Sequence, residues 1–160
     1  MWLASWLRKR KTAAESNTAE VRIRILAISV FLNDRVTLEQ LGKREGWELK
    51  FTNSPRDAFR LVTERHFEVI LCDRNQYGYP WREVMERLAQ HSPHSRILLV
   101  SPVTGDYLWR DVVQQGGHDI LPRPLREWDE LPVIRAAAGV VAALAGSDSR
   151  RVTADTPVRR

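Results

Sequence analysis

The sequence predicts a doubly wound α/β domain: a five-stranded parallel sheet between two layers of helix, α/β/α. Five short apolar runs suit strands covered on both faces, and the segments between them space apolar side chains as a one-sided helix does. The punctuation agrees, since Gly46, Ser54-Pro55 and Gly116-Gly117 fall where one element should yield to the next.

Arg24 to Ile28 is the first strand. Residues 34–45 follow as a helix with Val36, Leu38 and Leu41 at helical spacing, and Gly46 stops it. Trp47 to Thr52 alternates apolar and polar, as an edge strand does. Ser54 suits the cap and Pro55 the first turn of a second helix, whose inner stripe is Ala58, Phe59, Leu61 and Val62. Phe67 to Asp73 makes the third strand. The loop from Arg74 to Pro80, with Gly78, leads into a helix that turns Val84, Met85 and Leu88 inward. Arg96 to Ser101 is the fourth strand, Tyr107 to Gln115 a helix, and Asp119 to Leu121 a short fifth strand. Arg123-Pro124 turns the chain into a last helix over residues 127–144, where Pro132 sits early enough to be tolerated.

The 160 residues suffice for one domain with a real core. They divide into a basic, Trp-bearing arm (1–20), a folded body (21–145) and a polar tail expected to be disordered (146–160). Two readings of 1–20 stand side by side: a flexible arm, or a short amphipathic helix docking Trp2, Leu3, Trp6 and Leu7 on a partner or membrane. Residues 1–20 carry four basic and two acidic side chains, as do residues 146–160, so the tails supply most of the net charge of +5. A nucleic-acid surface needs that charge on a folded face, so nucleic acid is not an expected partner. The single cysteine, Cys72, excludes an intrachain disulfide and a thiolate metal cage. No apolar run approaches the roughly 20 residues that cross a bilayer. The basic cluster Arg8 to Lys11 follows the apolar start, the reverse of a secretory leader. A cytoplasmic protein is expected.

Doubly wound sheets place their functional crevice beyond the carboxyl ends of the strands, where strand order reverses. Asp73 and Arg123 should project from that one rim and pair across it, with no other acid close by. The Walker and dinucleotide glycine patterns are absent, and no nucleophile–His–acid triad is apparent. Ser29-Val30-Phe31-Leu32 is too bulky to cradle a flavin phosphate, and His66, His91, His94 and His118 lie apart. Neither an enzyme nor a small-molecule substrate is expected. Trp47 and Trp109 should flank the core, while Trp81 and Trp128 are partly exposed interface candidates. Arg74 and Tyr77 on the third loop are either contacts or ordinary solvated side chains.

At its strand ends the sequence resembles the receiver (CheY-like, flavodoxin-like) domains of response regulators, over about residues 22–144. Phe67-Glu68-Val69-Ile70-Leu71-Cys72-Asp73 is followed at family spacing by Asn75 and Gly78, and Ser101 stands where the family has Ser or Thr. Gly116 to Pro124 mirrors the family's Gly-Ala-Asp-Asp-Tyr-Leu-x-Lys-Pro. The resemblance implies Asp73 as candidate phosphoacceptor and Asn75 as carbonyl donor to a metal. It implies Ser101 as switch hydroxyl, Arg123 in place of the lysine, and Pro124 after a cis bond; on the residues alone, Ser101 has the second reading of a cap on the following segment.

The departures weigh as much. Ser29 and Val30 replace the family's two metal-binding acids, and Asn33 and Asp34 would substitute only with a remodelled loop. Pro102 replaces a small residue and Ile120 the switch aromatic. The resemblance thus implies a stand-alone receiver-like domain in two-component phosphorelay signal transduction. The alternative is a pseudo-receiver, an interaction module independent of phosphorylation. No cofactor is expected, with Mg2+ on Asp73 and Asn75 only if phosphorylation is retained. The implied partners are proteins, a histidine kinase or a downstream regulator, meeting the face of helix four, strand five and helix five. A homodimer is compatible with that face.

Overall fold

In the computed structural model the described residues are 22–76 and 78–151, with side chains to Gly139. They form β1 (Arg24–Ile28), α1 (Leu32–Glu45), β2 (Glu48–Thr52), α2 (Pro55–Glu64), β3 (Val69–Asp73), α3 (Trp81–His91), β4 (Arg96–Ser101), α4 (Asp106–Gln114), β5 (Asp119–Pro122) and α5 (Glu127–Arg151). The strands are all parallel in the order β2-β1-β3-β4-β5. The chain first steps outward from β1 to β2, then crosses back to β3. Order therefore reverses between β1 and β3, and a crevice opens at their carboxyl ends.

The pleat sorts the strand side chains between two cores. Leu26, Ile28, Ile70, Cys72, Ile97 and Leu99 pack against α2, α3 and α4. Ile25, Ala27, Val69, Leu71, Leu98 and Val100 pack against α1 and α5. Burial on both faces is why these strands read as unbroken apolar runs. The punctuation acts as its chemistry predicts. The Ser54 hydroxyl accepts the Asp57 N–H at 3.2 Å, capping α2. After α4, Gly116 takes φ 84°, and a Cβ on Gly117 would lie 2.6 Å from the Val112 side chain.

Several expectations are corrected. Helix α1 begins at Leu32 and turns Asp34, Leu38 and Leu41 inward, leaving Val36 exposed. Trp81, expected to be partly exposed, is only 6% exposed because it shares a helix face with Val84, Met85 and Leu88. Trp109 is 48% exposed, since Leu108 and Val112 take the inward face of α4. Trp47 is buried and Trp128 is 76% exposed. Helix α5 continues to Arg151, into the stretch 146–160 expected to be disordered. The arm at 1–20, Tyr77 and residues 152–160 lie outside the described residues. No helix among the described residues is long and apolar enough to cross a membrane.

Candidate functional site

The site is built where β3 ends. Asp73 is the last residue of that strand, held in register with Val100 of β4, and its side chain is 0% exposed. Its Oδ1 accepts the Asn75 N–H at 2.8 Å and faces Arg123 Nη2 at 3.5 Å. Its Oδ2 has no hydrogen-bond partner. Burial pushes the Asp73 pKa up, against the Asn75 N–H and the Arg123 charge, and the negative charge of Asp34 adds to the rise.

Arg123 reaches the crevice from just beyond β5. Its N–H donates to the Ser101 carbonyl at 2.9 Å, and its peptide bond to Pro124 is cis, as the resemblance implies. The guanidinium carries the ring of Phe31 at 3.8 Å, and its Nε lies 3.9 Å from Asp34 Oδ2. Asp34 is 1% exposed; Oδ1 accepts the Leu125 N–H at 2.8 Å, and Oδ2, like that of Asp73, has no hydrogen-bond partner. Asp73 was expected to stand without another acid close by, and this is corrected. Asp34 reaches the crevice from the first turn of α1. The signal was its spacing of four and seven residues from Leu38 and Leu41, which puts it on the buried stripe.

The loops around the pair are tied down. Ser29, the residue with φ 57° after β1, donates its hydroxyl to Gln76 Oε1 at 2.8 Å. Gln76 Nε2 in turn donates to the Asp73 carbonyl at 2.5 Å. Neither Gln76 nor Phe31 was marked by the sequence pattern. Ser101 is buried, but its hydroxyl donates to the Val103 carbonyl at 2.7 Å and accepts the Val103 N–H at 3.1 Å. It caps its own loop. Asn75 is exposed and Arg74 half-buried.

Magnesium needs several oxygen ligands in near-octahedral array. Among the described residues no three His, Cys, Asp or Glu side chains gather as a metal site. The two free carboxylate oxygens belong to acids that Arg123 already touches. With Arg123 seated, these residues do not fit a magnesium ion. What they hold is a buried carboxylate with one unsatisfied oxygen and a guanidinium beside it.

No protein-family profile matches the chain, and no curated protein matches it. Solved structures do. The signal receiver domain of an HD domain-containing protein from Pseudomonas fluorescens Pf-5 superposes with TM-score 0.72 at 17% identity, covering 82% of this chain and 98% of that one. A CheY-like response regulator receiver domain protein from Methanospirillum hungatei JF-1 gives 0.66 at 17%, covering 76% and 98%. A Burkholderia pseudomallei response regulator, solved with a phosphorylated aspartic acid, calcium ion and citrate, gives 0.60 at 19%, covering 79% and 74%. The chain has the receiver fold. Within that fold Asp73 ends the third strand, and Arg123 with its cis proline follows the fifth.

Proposed function

We propose that the protein is a response-regulator receiver module of phosphorelay-type signal transduction, in which the charge on Asp73 is the regulated quantity. The observation that supports this is the unpartnered, buried Oδ2 of Asp73 at the switch point of a receiver fold. Leaving such an oxygen unsatisfied costs on the order of 1–3 kcal/mol, an expense with a purpose if that oxygen reacts. In the proposed step it attacks the phosphorus of a phosphodonor, the donor's P–O or P–N bond breaks, and an acyl phosphate forms. Arg123 pairs with the phosphoryl oxygens. The phosphodonor is a histidine kinase, and the recipient of the signal is a downstream regulator. The phosphorylated aspartic acid of the Burkholderia response regulator is the precedent in the same fold.

One observation favours a second reading, a pseudo-receiver that binds proteins without phosphorylation: the Ser101 hydroxyl is committed to its own loop. Incubation with acetyl phosphate, with and without Mg2+, followed by intact mass, separates the two. A phosphate-sized gain that disappears in Asp73→Asn supports the phosphorelay module. No gain under either condition removes it and leaves the pseudo-receiver.

A further inference from the structure

We propose that Arg123 is the built-in cation of the crevice: seated, it excludes a divalent ion, and its removal exposes a divalent-cation site made by Asp34 and Asp73. The argument begins with charge. Asp34 and Asp73 are both almost wholly buried, and each keeps one carboxylate oxygen without a hydrogen-bond partner. Buried carboxylates require a compensating positive charge, and the guanidinium is 3.9 Å from one and 3.5 Å from the other.

The seat is built to hold it. Phe31 lies on the guanidinium face, and the Arg123 N–H is fixed to Ser101 of β4. The other oxygens of the two acids are already oriented, Asp34 by Leu125 and Asp73 by Asn75. One cation shared by two acids is incomplete compensation, so the vacated pair attracts a small hard cation. A divalent ion beside a seated guanidinium would instead meet a positive charge a few ångströms away, in a site where water screens little.

Manganese(II) is the probe, followed by loss of its free-ion resonance signal and by the thermal midpoint of the protein. The wild type is expected to show no saturable uptake through the millimolar range and no midpoint shift. Arg123→Ala should take up one ion, roughly tenfold or more tighter than any wild-type uptake, with a higher midpoint. Adding Asp34→Asn to that variant should abolish both effects. Arg123→Gln repeats the test with a polar side chain. If either variant unfolds alone, refolding on addition of manganese supports the site, and failure to refold counts against it.

Equal uptake by wild type and Arg123→Ala overturns the proposal, as does no uptake by a folded Arg123→Ala or uptake that survives Asp34→Asn. The phosphate readout is separable. A wild-type mass gain from acetyl phosphate in excess chelator agrees with a built-in cation. A gain only with magnesium defeats this inference and leaves Asp73 as phosphoacceptor. No gain defeats the phosphoacceptor, while the manganese outcome stands by itself.

Discussion

The two ends of the sheet treat buried polar groups differently. At the amino end, Glu68 lies just before β3 and is buried, yet its Oε2 accepts the Arg24 N–H at 2.6 Å and its Oε1 meets the Arg24 guanidinium at 3.2 Å. Beside it the Ser95 hydroxyl donates to the Phe67 carbonyl at 2.5 Å and meets Ser92 Oγ at 2.6 Å. At the carboxyl end, Asp34 and Asp73 share one guanidinium, and theirs are the buried side-chain oxygens left without a hydrogen-bond partner among the described residues. One end is closed in the manner of a structural joint. The other keeps two acids to one cation, and the proposed function rests on that imbalance.

Arg123→Ala breaks the comparison most sharply. Removing the shared cation leaves two buried carboxylates uncompensated and should cost about 3 kcal/mol in urea unfolding at neutral pH, within the reserve of a typical domain. A loss no larger than that of an exposed arginine such as Arg60 would mean that the crevice charges are not coupled. Glu68→Ala tests the opposite end. It strands the Arg24 N–H and should cost about 2 kcal/mol, with no effect on phosphorylation of Asp73; a change in phosphate uptake would show that the two ends are not separate.

Asp73→Asn is the smallest effect and has the opposite sign. Its neutral side chain relieves the two-to-one imbalance, so the midpoint of unfolding should rise by a few degrees, on the order of 1 kcal/mol. The pH dependence follows from the raised pKa. Because the folded state holds the Asp73 proton more tightly than the unfolded chain, this group stabilises the fold below its ordinary value of 3.8. That contribution is lost as pH rises through the folded pKa. The fall should be present in the wild type and missing from Asp73→Asn. Equal pH profiles for the two proteins would show that burial does not tax this carboxylate.

The apolar runs, the Ser54-Pro55 helix start and the Gly116-Gly117 turn determined five strands, their helices and the rim on which Asp73 and Arg123 meet. Each rests on local chemistry: pleat, capping and backbone freedom need only neighbouring residues. Tertiary structure decided the rest. It made Asp34 the partner of Arg123, closed Ser29 through Gln76 onto the Asp73 carbonyl, turned Ser101 back on its own loop and sank Trp81 into the core. These contacts join segments tens of residues apart or depend on the phase of a helix against the sheet. A residue's charge is written in the sequence; the number of opposite charges within reach of it is fixed only when the elements pack.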